Sequence, residues 1–239
     1  MRDWAGMRYW LLGADTPLGA ALAEKLSRAG VSLVLSGRDQ GRLEDLMVTL
    51  PGRASYIPLD ITQEQGLEDV AIELGTINGL VYALDEHCRA SSEHWNAAGV
   101  GRVISTNLTG IANALGIALP IFAGRGHIVL LDSLAGIGGA PGQAGYAASK
   151  AGVRLLAESL AVDAKGTELA VQLVTLGVPG GWIDVAPDTA AAGIFEHMGT
   201  PRFRRTVPSA AGVLVRLLHA LPGWLTRPAV AWLTKQAQD

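Results

Sequence analysis

Residues 7–35 read MRYWLLGADTPLGAALAEKLSRAGVSLVL, and the fold turns on their order. An apolar run, Met7 to Leu12, stops at the turn Gly13-Ala-Asp-Thr-Pro-Leu-Gly19. Leu18, Leu22 and Leu26 then recur at helical spacing, with Glu24, Lys25 and Arg28 between them, and Gly30 stands where a helix ends. Val31 to Leu35 is too short for a helix and suits a buried strand. Strand, turn, helix and strand in about thirty residues make one βαβ unit.

The alternation continues outward from this unit. Gln40 to Leu50 reads as a helix stopped by Pro51-Gly52, and Ala54 to Leu59 as a strand. Thr62-Gln-Glu-Gln65 reads as a capping box opening another helix. Gly79 to Ala83 is a strand, about Gly99 to Leu119 a long helix, and Gly126 to Leu131 a strand. Gly145 to Ala164 is a helix and Ala170 to Leu176 a strand. Strict alternation predicts an α/β fold, a doubly wound parallel sheet with helices on both faces. Without linker, repeat or low-complexity segment, residues 1–239 read as a single domain. Beyond Pro179 the rhythm breaks, and 180–207, rich in Gly, Ala, Pro and Thr, reads as irregular. A helix fits Ser209 to Ala220, and the tail from about 221 to 239 has no assignment.

With 49% hydrophobic and 17% charged residues, the chain can fill a core and lacks a disordered composition. At a net charge of −3 and without a long basic run, it offers nothing to a nucleic acid. The single cysteine, Cys88, excludes an intrachain disulfide. The start, Met1 to Arg8, lacks the apolar core of a signal peptide, so a cytoplasmic location is expected. Between Arg102 and Arg125 no residue is charged, which is about the length of a membrane span. Ser105, Thr106, Asn107, Thr109, Asn113 and Pro120 interrupt it, so a buried helix is expected and no membrane partner.

The turn from Gly13 to Gly19 leads a strand into a helix N-terminus, whose free N–H groups and dipole attract a pyrophosphate. After the second strand stands Ser36-Gly37-Arg38, where an NAD site often has an acid. Arg38 suits a 2′-phosphate, which favours NADP(H) and leaves NAD(H) possible. Further on, Tyr146-Ala-Ala-Ser-Lys150 puts a phenol and an ammonium one helical turn apart. A nearby ammonium stabilises a phenolate, so the pair is expected to lower the Tyr146 pKa toward proton transfer. Ser133 ends the preceding strand and can hold a substrate oxygen beside Tyr146. Asn107 lies in the uncharged helix, where a buried amide needs a partner.

Gly13…Gly19, Asn107-Leu-Thr-Gly110, Ser133, Tyr146-x-x-x-Lys150 and Pro179-Gly180, in that order, resemble the short-chain dehydrogenase/reductase family from about Met7 to Ile183. The resemblance implies a Rossmann-like domain. In it Tyr146 is the general acid or base, Lys150 binds the nicotinamide ribose, Ser133 orients the substrate oxygen, and Asn107 supports a water relay to Lys150. It also implies that Gly13, Asp15, Thr16, Leu18 and Gly19 surround the phosphates and ribose, with Asp60 and Ile61 near the adenine. Ala83 passes close to the cofactor, and Pro179, Gly180 and Trp182 border the nicotinamide. The function implied is hydride transfer between nicotinamide and the carbonyl or alcohol carbon of a small organic substrate. The segment at about 187–208 is expected to be a substrate lid, and a homodimer or homotetramer is expected from the helix of Tyr146 and the one before it.

Departures from the family pattern motivate an alternative, a non-enzymatic dinucleotide sensor or scaffold. Pro17 replaces the middle glycine of the turn, and Tyr82-Ala-Leu-Asp85 stands for the usual Asn-Asn-Ala-Gly. Asp184 stands at the usual threonine position, and the C-terminal Asp-Gly-Gly strand ending is missing. Asp85-Glu86-His87-Cys88, with His94 nearby, has no zinc-site spacing, so no metal is expected. Arg202, Arg204 and Arg205 read as a solvated basic patch.

Overall fold

The computed structural model describes residues 3–63, 65–138, 141–177 and 184–208, with Pro222, Trp224 and Leu225. In chain order it runs β1 (Arg8–Leu12), α1 (Pro17–Arg28), β2 (Ser32–Gly37), α2 (Gln40–Thr49), β3 (Ala54–Pro58), α3 (Leu67–Leu74) and β4 (Ile77–Tyr82). There follow α4 (Ala97–Ile104), a π-turn (Ser105–Thr109), α5 (Gly110–Ala118), β5 (Phe122–Ser133) and a short α6 (Ala135–Gly138). Then come α7 (Ala144–Asp163), β6 (Ala170–Leu176), α8 (Pro187–Met198) and β7 (Arg204–Val207). Among the described residues the strands form one seven-stranded parallel sheet, ordered β3-β2-β1-β4-β5-β6-β7. The order reverses between β1 and β4, and a crevice at such a reversal, beyond the strand ends, is where open α/β sheets bind ligands.

Successive residues of a strand point to opposite faces, and both faces here are covered. Tyr9 and Leu11 pack in one core with Leu22, Leu26 and Ile194 of α1 and α8. Trp10 and Leu12 pack in the other with Ile111 and Val153 of α5 and α7. That is why β1 reads as an unbroken apolar run, each buried side chain contributing about 1.5–3 kcal/mol. Polar groups also meet inside, as in the 3.0 Å bond from the Trp10 indole N–H to Ser36 Oγ.

Several expectations change. Thr62 does not cap α3; its N–H and hydroxyl both bond Asp60 Oδ1, and the helix starts at Leu67 behind Gly66, with φ +81°. A local side-chain turn has outcompeted the cap. The long helix is broken in register by the π-turn that carries Asn107. The segment 187–208, expected to be irregular, instead forms α8 and β7, the last strand in the order among the described residues. Helix α8 lies against α1, burying Ala191, Ile194 and Met198, and β7 pairs with β6. Its alanines and Gly193 were mistaken for loop composition; they are small because α8 packs closely, Gly193 facing Val207. Arg204 and Arg205 are not merely solvated, for they pair with Glu158 and Glu196. The helix proposed for 209–220 and the tail lie outside the described residues, apart from Pro222, Trp224 and Leu225.

The helical run Ala97–Ile121 is long and apolar enough to cross a membrane by length and composition. Here one side of it is spent on the protein: Val103, Asn107, Ile111, Ala114 and Ala118 are all buried.

Candidate active site

The turn after β1 depends on its two glycines. Gly13 has φ +83°, and a Cβ on it would meet the Ala83 carbonyl carbon at 2.8 Å. A Cβ on Gly19 would lie 2.0 Å from the Gly13 carbonyl oxygen, so α1 can start this close to β1 only without one. Thr16 caps the helix, its Oγ accepting the Gly19 N–H at 3.1 Å and donating to the Gly13 carbonyl at 2.7 Å. Pro17 sits at the first helical position, where its missing N–H costs no intrahelical bond. The departure therefore leaves the turn intact.

At the end of β2, Asp15 Oδ2 accepts the N–H groups of Arg38 (2.9 Å) and Asp39 (3.1 Å). Its Oδ1 is buried without a partner, against Gly37, where a Cβ would intrude to 2.1 Å. The Arg38 guanidinium is largely exposed and reaches Glu86 at 3.4 Å. After β3, burial alone would raise the Asp60 carboxyl, but the Thr62 bonds and the charge of Arg38 bring it below its usual value. Ile61 is buried, and its carbonyl accepts from Asn113 Nδ2 at 2.9 Å. Ala83 is also buried, its N–H bonded to the Leu12 carbonyl.

The second half of the site comes from the ends of β4 and β5, the π-turn and α7. Residues 146, 150 and 154 fall on one face of α7. Lys150 is buried, and its Nζ donates to the Leu131 carbonyl at 3.2 Å and lies 2.8 Å from Asp85 Oδ1. The Tyr146 hydroxyl donates to Asp85 Oδ2 at 3.1 Å. His87 Nε2 lies 2.9 Å from the same oxygen, and its ring lies 4.2 Å from that of Tyr146, centre to centre. The expected lowering of the Tyr146 pKa is reversed. Burial first, and then the Asp85 charge, push the phenol well above its ordinary value, with the Ser133 hydroxyl pulling weakly the other way. The ammonium that should have favoured the phenolate is answered by Asp85. Burial also penalises the Asp85 charge, but Lys150 and His87 outweigh it and hold that carboxyl down at about 2.

Ser133 Oγ donates to the Gly177 carbonyl at 2.9 Å and accepts the Ala135 N–H at 3.3 Å. Asn107 is fully buried and spends its amide on a clamp: Oδ1 accepts the Glu86 N–H (2.8 Å), and Nδ2 donates to the Glu86 carbonyl (2.9 Å) and Ser149 Oγ (3.2 Å). The clamp fixes the segment carrying Asp85 and His87. Tyr82, the first departure on β4, donates its hydroxyl to the Thr106 carbonyl in the π-turn at 2.5 Å, supplying a partner to a carbonyl in the altered register.

Beneath the site lies a buried ion pair that no motif announced. Arg154 donates from Nε (2.9 Å) and Nη2 (2.7 Å) to Asp132 Oδ2, while Asp132 Oδ1 accepts the Ser133 N–H at 2.6 Å. Its one trace in the sequence is the continuation of the Tyr146, Lys150 face by another turn. Asp85 is legible only as a charge close to the site, not as a partner of both Tyr146 and Lys150. Pro179, Gly180 and Trp182 lie outside the described residues.

A cavity of about 240 Å³ runs from Thr16 and Leu18 past Ala83 and Asp85 to Gly177 and Asp184. It joins the glycine-dependent turn to the Tyr146 cluster. A larger one, about 370 Å³, opens beside the start of α7 between Arg89, Ser91, His94 and Gln143.

A family model described as short chain dehydrogenase matches residues 10–180. An uncharacterized oxidoreductase of Mycobacterium tuberculosis is 30% identical over 91% of this chain and 94% of its own. A short-chain dehydrogenase/reductase from Burkholderia phymatum, solved in complex with NAD, superposes with TM-score 0.81 at 22% identity, covering 92% of this chain and 95% of that one. A metagenomic short-chain oxidoreductase, solved in complex with NADP, superposes with TM-score 0.75 at 25% identity, covering 86% and 97%. The turn, the sheet and the Tyr146–Lys150 helix thus have their counterpart in a match along most of the sequence, and the chain belongs to the short-chain dehydrogenase/reductase family of NAD(P)-dependent oxidoreductases.

Proposed function

We propose that the protein is an NADP(H)-dependent oxidoreductase acting between a carbonyl and an alcohol on a small organic substrate, with Tyr146 moving the proton. The observation that supports this reading is that Asp85, which lines the cavity beginning at the glycine turn, contacts both Tyr146 and Lys150. The turn at Gly13 and Gly19 fits a dinucleotide, because only glycines let α1 start this close to β1 and offer its N-terminal N–H groups to a phosphate. When bound, the dinucleotide supplies or takes the hydride.

The chain's own residues do the rest. Gly13, Thr16, Leu18 and Gly19 line the phosphates, Asp60 and Ile61 the adenine, and Ala83 leaves room at the sheet edge. Lys150 grips the ribose, Ser133 holds the substrate oxygen, and Tyr146 gives or takes the proton at that oxygen. Asn107 positions the Asp85–His87 segment. Arg38, largely exposed at the end of β2 and paired only at 3.4 Å with Glu86, meets the 2′-phosphate, which favours NADP(H). The carboxylate of Asp15 at the same strand end opposes it and keeps NAD(H) as the second choice. Asp184 and Val185, with Pro187 and Ala190 at the leading end of the 187–208 segment, wall the cavity and shape specificity there. Exposed Leu155 and Val162, two turns apart on α7, favour a homo-oligomer through that helix.

Fluorescence titration with NADPH and NADH tests the cofactor, and Tyr146→Phe tests the chemistry. The expected result is tighter NADPH binding, and a variant that keeps the cofactor and loses turnover of any carbonyl the wild type reduces. A dinucleotide bound but never turned over against a broad carbonyl panel favours a sensor instead. One observation leans that way: Asp85 already occupies both Tyr146 and Lys150.

A further inference from the structure

We propose that Asp85 is a further catalytic residue: its Oδ2 accepts the Tyr146 hydroxyl proton and, through the same oxygen, links that phenol to His87 and solvent. The inference rests on the function proposed above for Tyr146. Three contacts carry it. Asp85 Oδ2 lies 3.1 Å from Tyr146 Oη and 2.9 Å from His87 Nε2, while Oδ1 is held 2.8 Å from Lys150 Nζ. The lysine fixes one oxygen and leaves the other to be shared by the two proton-bearing groups. The Asp85 side chain is 32% exposed and that of His87 40%, so the row Tyr146, Asp85, His87 runs from a buried phenol to the surface.

The Asn107 side-chain amide is spent on Glu86 and Ser149. During carbonyl reduction, Tyr146 Oη would release its proton to the substrate oxygen as the carbon takes up the hydride that a bound reduced dinucleotide would supply. The phenolate then regains a proton through the row: water protonates His87, His87 Nε2 hands a proton to the Asp85 Oδ2 carboxylate, and Oδ2 passes it to Tyr146 Oη. No electron passes through the row, and each residue ends as it began. Oxidation runs the same hops in reverse.

The first test needs no substrate. Tyrosinate absorbance is titrated for the wild type, Asp85→Asn and Tyr146→Phe, the last identifying which step belongs to Tyr146. Removing the carboxylate leaves the phenol beside an unanswered ammonium. The Tyr146 step in Asp85→Asn is therefore expected at least one pH unit lower, about a tenfold change in proton affinity. A step unmoved by the substitution overturns the inference. Asp85→Ser repeats the measurement should Asp85→Asn lose its circular-dichroism signature. In NADPH-dependent reduction of 4-nitrobenzaldehyde, His87→Gln is expected to lose at least tenfold in kcat and to recover with added imidazole. A variant as fast as wild type, or a loss that imidazole leaves untouched, overturns the His87 link. The two readings separate: a wild type that binds no dinucleotide defeats the proposed function, while the titration still decides whether Asp85 holds the Tyr146 proton.

Discussion

Replacing Arg154 with Met tests the physical account of the site most directly. The Asp132 side chain is 0% exposed and that of Arg154 10%. Burial pushes the Asp132 carboxyl above its usual value, and Arg154, the Ser133 N–H and Lys150 recover only part of that. Removing the guanidinium leaves a buried charge without its partner, a change that costs about 3–5 kcal/mol. For a chain of this size each kcal/mol is worth about 2–4 °C, so the melting temperature should fall by about 6–20 °C. The pH dependence carries the sign. A carboxyl whose folded pKa is raised contributes stability below its unfolded value and loses it as pH climbs through the folded one. The deficit of Arg154→Met against wild type should therefore be small at about pH 5 and largest at about pH 8, read by urea unfolding. The double variant Asp132→Leu/Arg154→Met should recover most of the loss, because two apolar groups leave no charge behind. A deficit below about 1 kcal/mol, or one equal at both pH values, would refute the assignment of a buried, charged Asp132.

Other perturbations follow from single contacts. Gly19→Ala drives a Cβ to 2.0 Å from a backbone oxygen; overpacking of this kind costs about 1–3 kcal/mol, and calorimetric NADPH binding should vanish with it. Retained affinity would mean that the turn does not hold the phosphates. His197 is buried and its pKa is lowered, burial being the largest cause. Its neutral form thus contributes stability that is present above its unfolded pKa and is lost as pH falls through the folded one. His197→Gln should flatten that acid limb in melting curves, and an unchanged limb assigns it to other groups. Tyr82→Phe removes the bond to the Thr106 carbonyl and should cost about 1–3 kcal/mol for the orphaned acceptor, measured by chemical unfolding; a neutral variant would mean that the π-turn carbonyl finds another partner.

What was legible in the sequence was what repeats or what is local. The apolar run of β1 and the Leu18, Leu22, Leu26 spacing of α1 gave strand and helix because period and burial coincide there. The same reasoning failed at α8, where Ala190, Ala191 and Gly193 are small for packing and not for flexibility. It also failed at Thr62, whose side chain had a nearer partner in Asp60 than the helix it was expected to cap. At the site, Tyr146 and Lys150 were visible by spacing, but their electrostatics were not, since the carboxylate that sets them lies 61 residues before Tyr146. A helical pair considered alone predicts a phenol with a lowered pKa, and burial, followed by the third charge, reverses the sign. Asp132 and Arg154 escaped notice for the same reason, being 22 residues apart and joined only when α7 folds over β5. Spacing along a helix identifies which groups can meet on its own face. What their protons do is set by groups the topology brings from other strands, so in this chain the departure at Asp85 bears on the chemistry as directly as the motif it faces.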